Sequence, residues 1–191
     1  AKTVRTISRI LDKMIKAVIF DVGGVLKFST DSAIRQDVQK TLGIRPEVFN
    51  EPWELLTDQL GRGVIDQHEF WQQLHQQTAA QHPLPIESLL MREYKKGHKV
   101  DDSVMAIAYR LKKQGYTIAA LSNTVASHAE FDRSKGIYDN FDMVVLSHEV
   151  GLRKPSLEIF HHTLNQLKVA PQEAILVDDK ERNIVAAQQV G

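Results

Sequence analysis

The stretch AVIFDVGGVL at residues 17–26 decides the fold of this chain. Its first four residues are apolar without interruption, a pattern typical of a strand that is buried on both faces of a parallel sheet. Asp21 follows directly, and the pair Gly23 and Gly24 suits a turn. The stretch therefore predicts a buried strand that ends in a carboxylate at the edge of a sheet, where open α/β folds bind their ligands.

Three further segments are equally short, nearly continuous in apolar residues and rich in β-branched side chains: residues 116–121, 143–146 and 174–177. Helical patterns lie between them. They predict helices over 102–114, 155–168 and 180–189, with Gly115 ending the first and Pro155 starting the second. Strands that alternate with helices predict an α/β fold built on a doubly wound parallel sheet.

The interval 29–100 interrupts this alternation, because it is dense in helix formers and holds no convincing strand. Its predicted helices, with Trp53 and Trp71 in their shared core, are 31–42, 47–60, 66–78 and 86–96. The chain thus divides into a core, residues 14–28 and 101–191, and a helical insertion, residues 29–100. Residues 1–13 lack the apolar segment of a secretory signal and are interpreted as an N-terminal extension.

Composition excludes several classes of protein. Lys and Arg total 24, as do Asp and Glu, so the basic excess of a nucleic-acid-binding protein is missing. No apolar run approaches the roughly 18 residues of a membrane span. The chain has no cysteine, which excludes thiol nucleophiles and thiolate zinc sites and is compatible with a cytoplasmic location.

Polar side chains follow each predicted strand. They are Asp21 after the first, Ser122 and Asn123 after the second, Lys154 in the loop after the third, and Asp178 and Asp179 after the fourth. Because the carboxyl ends of parallel strands share one edge of a sheet, we expect these side chains to converge. Carboxylates suit Mg²⁺, and hydroxyl, amide and ammonium groups suit phosphoryl oxygens. The pattern predicts a phosphate site beside a divalent metal.

Four segments carry a resemblance to a known family. FDVGGVL, LSNT, the Lys-Pro of GLRKP, and VDDKERN resemble, in order, the four motifs of the haloacid dehalogenase-like hydrolases, over residues 16–191. The insertion resembles the small cap of that superfamily's first subclass. Among its members, the chain is most similar to glucose-1-phosphate-type phosphatases and to the phosphatase domain of soluble epoxide hydrolases. The resemblance also implies a further strand after Gly191.

The resemblance implies a role for each strand-end residue. Asp21 would attack phosphorus and form an aspartyl-phosphate. Asp179 would ligate Mg²⁺ together with Asp21 and the backbone carbonyl of Gly23, and Asp178 and Asn183 would support those ligands.

Ser122 and Asn123 would hold the phosphoryl oxygens, and Lys154 would offset charge on the phosphate and on Asp21. One position departs from the family pattern. Gly23 stands where the usual motif has an aspartate that acts as general acid and base. Such a group contributes about 10²–10⁴-fold to the rate, so Gly23 puts activity on ordinary alkyl phosphates in doubt.

These observations favour a Mg²⁺-dependent phosphatase acting on a small phosphorylated metabolite. A metal-independent haloacid dehalogenase is one alternative, although Asp178 and Asp179 would place unneeded negative charge beside its nucleophile. A catalytically silent binding module is the other, against which the intact Asp21, Lys154 and Asp179 count. Arg62 is interpreted as an exposed loop charge. The substrate and the oligomeric state stay open.

Overall fold

The computed structural model describes residues 15–83 and 88–191. Within them, the strands β1 (Ala17–Phe20), β2 (Thr117–Ser122), β3 (Met143–Leu146) and β4 (Ala174–Val177) form one parallel sheet in the order β3-β2-β1-β4. All four match the predicted strands to within one residue. The predicted extension, residues 1–13, lies outside the described residues.

Helices connect these strands. Between β1 and β2 lie α1 (Asp31–Thr41), α2 (Pro46–Gly61), α3 (Gln67–Thr78), α4 (Leu89–Lys96) and α5 (Asp102–Lys113). The later helices are α6 (Ala126–Ser134), α7 (Ser147–Val150), α8 (Leu157–Leu167) and α9 (Glu181–Val190). Helix α8 begins two residues later than predicted, because residues 153–156 form a turn closed by a 3.0 Å bond from the Ser156 N–H to the Arg153 carbonyl.

Strand β1 lies at the centre of the core because both of its faces are apolar. Val18 and Phe20 pack into one hydrophobic cluster, and Ile19 packs into another on the opposite face of the sheet. This alternation follows from the two-residue period of a strand, and helices cover both faces. The doubly wound parallel sheet is thereby confirmed.

Helices α1 to α4, called the cap helices below, have a hydrophobic cluster of their own. Its aromatic members pack in sequence, with ring centroids 5.3 Å apart for Phe49 and Trp53, 5.8 Å for Trp53 and Phe70, and 4.8 Å for Phe70 and Trp71. Both tryptophans are buried, as predicted. No helix in the described part of the chain has the length and apolarity to cross a bilayer.

The two connections between the sheet and the cap helices run side by side. The Phe28 N–H donates to the Lys99 carbonyl at 3.0 Å, and the Asp101 N–H donates to the Leu26 carbonyl at 2.9 Å. Residue 27 therefore pairs antiparallel with residue 100. This pairing fixes the two segments that enter and leave the cap helices close to the carboxyl end of β1.

Candidate active site

Asp21 lies at the carboxyl end of β1 and is almost fully buried, with 5% of the residue exposed. Its N–H donates to the Val177 carbonyl at 2.8 Å, so the pairing of β1 with β4 extends as far as Asp21. Burial raises the pKa of the Asp21 carboxyl above its ordinary value, and the Lys154 ammonium opposes that rise. The ionised form of Asp21 thus depends on Lys154.

The ammonium of Lys154 connects three parts of the site. Its Nζ donates to Asp21 Oδ1 at 2.8 Å, to Asp178 Oδ2 at 2.6 Å and to the Leu121 carbonyl at 2.8 Å. Because Lys154 is only 3% exposed, these protein acceptors take the place of water. The positive charge is held at a fixed point between two carboxylates.

Asn123 positions Lys154 through the backbone. Its amide nitrogen donates to the Lys154 carbonyl at 2.8 Å, and its amide oxygen accepts from the Lys154 N–H at 2.9 Å. The amide oxygen and one amide hydrogen are therefore committed to the loop. The second amide hydrogen of Asn123 is the group that remains for the predicted contact with phosphoryl oxygens.

Asp178 and Asp179 differ in what surrounds them. Asp178 Oδ1 accepts from the Lys180 N–H at 2.9 Å and from Asn183 Nδ2 at 2.8 Å, so both of its oxygens are hydrogen-bonded once Lys154 is counted. Asp179 is exposed, and carboxylate oxygens of Asp21, Asp178 and Asp179 lie within 4.8 Å of one another. Asp179 has no hydrogen bond or salt bridge with another described residue, so its carboxylate is accessible to a ligand.

The two glycines after Asp21 meet different surroundings. Gly24 has φ +98°, and a Cβ there would lie 2.4 Å from Asp179 Oδ2, so only glycine allows this approach. A Cβ on Gly23 would meet no atom of the described residues within 4 Å. The position that lacks the family's aspartate therefore has room for a side chain.

The predicted phosphate-binding residues face the same pocket. Ser122, the last residue of β2, is buried, and it lines a pocket with Asp21, Asn123 and Lys154. Gly23 and Asn183 also line that pocket. The structure thus brings all the sequence-predicted site residues together at the carboxyl edge of the sheet.

A second polar cluster borders this pocket and was not found by sequence reasoning. Lys27 Nζ donates to Asp132 at 2.9 and 2.8 Å and to the Tyr94 hydroxyl. Asp132 also accepts from the hydroxyls of Tyr94 at 2.8 Å and Tyr138 at 3.2 Å. Burial is the main cause that lowers the pKa of Lys27. No local pattern marks these residues, because α4, α6 and the loop after β1 are distant in sequence.

His128 completes this border. Its ring stacks on Tyr94 with centroids 3.7 Å apart, and Nε2 lies 2.9 Å from the Leu90 carbonyl on a cap helix. Because the carbonyl only accepts, that contact assigns the proton of the neutral ring to Nε2. Burial lowers the pKa of His128 to about 4, so the ring is neutral at pH 7.

The residues present fit a magnesium ion. The site offers hard carboxylate oxygens on Asp21 and Asp179, which Mg²⁺ prefers. Asn183 Oδ1 is buried and has no hydrogen-bond partner among the described residues, which suits a site completed by an ion and its water. Lys154 pairs with two carboxylates and Asp179 adds a third beside them, so the group carries excess negative charge.

A model of the haloacid dehalogenase-like hydrolases matches residues 15–191. The chain is 33% identical to a sesquiterpene phosphatase of Aspergillus oryzae over 92% of this chain and 86% of that protein. It is 29% identical to a D-ribitol-5-phosphate phosphatase of Bacteroides thetaiotaomicron over 93% of this chain and 89% of that protein.

Solved structures show the same fold. A HAD family enzyme of Bacteroides thetaiotaomicron, crystallised with magnesium and inorganic phosphate, has a TM-score of 0.74 at 22% identity, covering 93% of this chain and 91% of that one. A 2-haloacid dehalogenase of Pseudomonas syringae has a TM-score of 0.62 at 22% identity, covering 93% and 84%. The fold is therefore shared with an enzyme crystallised with magnesium and phosphate and with a dehalogenase.

Proposed function

Because the chain belongs to the haloacid dehalogenase-like hydrolases, we propose that it is a magnesium-dependent phosphatase that hydrolyses a small phosphorylated metabolite through an aspartyl-phosphate. The observation that carries this proposal is the buried Lys154 ammonium, 2.8 Å from Asp21 and 2.6 Å from Asp178, with Asp179 beside them. Residues 29–100 act as its cap, and residues 14–28 and 101–191 as its catalytic core.

Asp21 is the nucleophile in this proposal. Lys154 holds Oδ1, which leaves the other carboxylate oxygen to attack phosphorus. The new bond joins that oxygen to phosphorus as the bond from phosphorus to the leaving oxygen breaks, and water later hydrolyses the acyl phosphate. Phosphoryl transfer depends mainly on positioning and charge, which Lys154 supplies.

The other residues bind and orient. Ser122 and Asn123 donate hydrogen bonds to the phosphoryl oxygens, and Asp178 keeps Lys154 in place through its 2.6 Å contact. Asp21, Asp179 and the backbone carbonyl of Gly23 would hold Mg²⁺, which would neutralise charge on the phosphoryl group.

Because residue 23 is glycine, no side chain at that position can protonate the leaving oxygen. Two nearby donors are already engaged: Lys27 donates to Asp132 and Tyr94, and the His128 Nε2–H points to the Leu90 carbonyl. Leaving groups whose anions are stable are therefore favoured. The proposed substrates are sugar 1-phosphates, acyl phosphates and aryl phosphates rather than sugar 6-phosphates.

A panel of phosphate esters and 2-haloacids, assayed with Mg²⁺ and with EDTA, tests the proposal. We expect hydrolysis of phosphate esters that requires Mg²⁺. Metal-independent release of halide would instead establish the dehalogenase, and the absence of turnover on every compound, with the ligands still bound, would establish the binding module. Asp21→Asn serves as the matched control for contaminating phosphatase.

A further inference from the structure

A second cavity continues from the site into the space between the core and the cap helices. It shares Asn123 and His128 with the pocket around Asp21 and extends along Trp53 and Thr57 of α2. The part of a substrate that lies beyond its phosphoryl group would occupy this cavity. Its lining therefore selects the leaving group.

Cations dominate the charged groups of this lining. Arg35, Arg153, Lys180 and Arg182 face two acidic residues, Asp31 and Glu54. Arg35 pairs with Glu54 at 2.6 Å, and Lys180 lies 3.6 Å from Asp31. Arg182 forms no salt bridge with the residues that the structure describes. The charge of Arg182, an exposed residue at the rim of the cavity, is thus left without a carboxylate partner among the described residues.

Arg153 extends from the core to the cap helices. Its Nη1 donates to the Thr57 carbonyl at 2.7 Å and lies 3.6 Å from Asp58 Oδ1. Burial lowers the pKa of Arg153, and the charges of Asp58 and Asp31 oppose this shift more than those of Arg62 and Arg182 add to it. One guanidinium edge is anchored, and the remaining N–H groups are available to a ligand.

The position of Arg153 links this charge to the phosphoryl site. Arg153 directly precedes Lys154, and consecutive Cα atoms are ~3.8 Å apart. One basic side chain thus enters the phosphoryl site while its neighbour enters the cavity above it. Arg62, by contrast, pairs with Asp58 at 2.8 Å and does not line this cavity.

We infer that Arg153 and Arg182 form an anion subsite, and that the preferred substrate is a phosphate ester bearing a second negative group, a carboxylate or another phosphate. This inference rests on the proposed function. Guanidinium groups only donate hydrogen bonds and match both oxyanions in geometry, whereas a neutral polyol would leave the charge of Arg182 without a counter-charge.

The test compares 4-carboxyphenyl phosphate with its near-isosteric amide, 4-carbamoylphenyl phosphate, and glucose 1,6-bisphosphate with glucose 1-phosphate. In at least one pair, we expect kcat/KM to be about tenfold higher for the ester that carries the second negative group. A charge-assisted hydrogen bond contributes about that factor. Which pair shows the preference identifies the anion. The preference should shrink as salt concentration rises.

Arg182→Gln and Arg153→Gln should reduce the ratio toward one, whereas Arg110→Gln, which removes an exposed arginine of α5 outside the cavity, should preserve it. A ratio near one in the natural protein, or an equal loss in Arg110→Gln, would overturn the subsite. Release of phosphate from 4-carbamoylphenyl phosphate, which lacks the second negative group, separately tests whether the protein is a phosphatase. Calorimetry with 3-phosphonopropionate against propylphosphonate measures the same preference without turnover.

Discussion

Two buried lysines of this molecule have contrasting surroundings. Lys154 pairs with Asp21 and Asp178, and the exposed carboxylate of Asp179 lies beside those two. Among the described residues, Lys27 forms its salt bridge with Asp132, which also accepts from two tyrosine hydroxyls and lies 3.3 Å from His98 Nε2. We call the first group the open cluster and the second the closed cluster.

The difference lies in charge balance. In the closed cluster one ammonium meets one carboxylate, which also has a histidine ring 3.3 Å away, so that carboxylate needs no metal ion to balance it. The cluster joins the cap helices to the core. The open cluster has two carboxylates in excess of its lysine, an arrangement that repels itself unless a cation binds. Burial of a lysine alone therefore does not mark a catalytic site, whereas uncompensated charge at a pocket does.

The largest expected effect comes from the open cluster. Asp21→Asn should abolish turnover, by roughly 10³-fold or more, because it removes the nucleophile while keeping the shape of the side chain. Steady-state rates measure the loss, and circular dichroism with thermal unfolding checks that the fold is kept. A variant that retained most of the natural rate would exclude Asp21 from the nucleophilic role.

In the closed cluster we expect a loss of stability. Lys27→Met should lower the free energy of unfolding by about 3–5 kcal/mol, because it leaves Asp132 buried without its cation. Denaturant titration measures this change. The paired change Lys27→Met with Asp132→Leu should recover much of the loss, since neither charge then remains buried. A single variant as stable as the natural protein would contradict the closed cluster's structural role.

The two neighbouring aspartates should respond differently to Mg²⁺. Asp179→Ala should raise the Mg²⁺ concentration for half-maximal activity by at least about tenfold, and by more than Asp178→Ala does, because both oxygens of Asp178 are already hydrogen-bonded. Activity titrated against Mg²⁺ in both variants tests this. Equal or reversed effects would mean that the roles of the two carboxylates are exchanged.

Gly23→Asp should supply the missing acid. A Cβ fits at that position, and we expect kcat/KM for esters of high-pKa alcohols to rise about tenfold relative to aryl phosphates. The measurement is kcat/KM against the pKa of the leaving group. Gly24→Ala is the matched control and should impair activity, because its Cβ would lie 2.4 Å from Asp179. If kcat/KM of the natural protein did not vary with the pKa of the leaving group, another group would already be supplying the proton.

The smallest effect concerns pH and the histidine that borders the closed cluster. The folded-state pKa of His128 is lowered to about 4 from 6.5, so its neutral ring contributes stability above pH 6.5 that is lost as pH falls toward 4. From pH 6.5 to 5, the stability difference between the natural protein and His128→Gln should narrow by about 1–2 kcal/mol. Chemical denaturation of both proteins at each pH measures it, and a constant difference would contradict the shift.

Much of the fold and of the site was predictable from local pattern. The four strands are short apolar runs, so their positions follow from residues such as Val18 and Ile19 themselves. The burial expected for each strand is wrong for β4, which lies at the edge of the sheet and leaves Ile175 exposed. Asp21, Lys154 and Asp178 follow strands, and parallel strands bring such residues to one edge. Their convergence needed no knowledge of side-chain packing.

Other features depend on contacts between distant segments. Lys27 and Asp132 are 105 positions apart, and Arg153 is 96 positions from the Thr57 carbonyl that it binds. Neither pair leaves a periodic or spaced signal in the chain. They form only when the cap helices pack on the sheet.

The sequence by itself determined which groups meet at the edge of the sheet, because strand order along the chain and the direction of parallel strands suffice for that. Tertiary structure alone decided how each group is used. It committed most of the Asn123 amide to the Lys154 backbone, saturated Asp178 and left Asp179 exposed. The physical reason is that hydrogen-bond partners and charge balance depend on distances of a few ångströms, which only the packed fold defines.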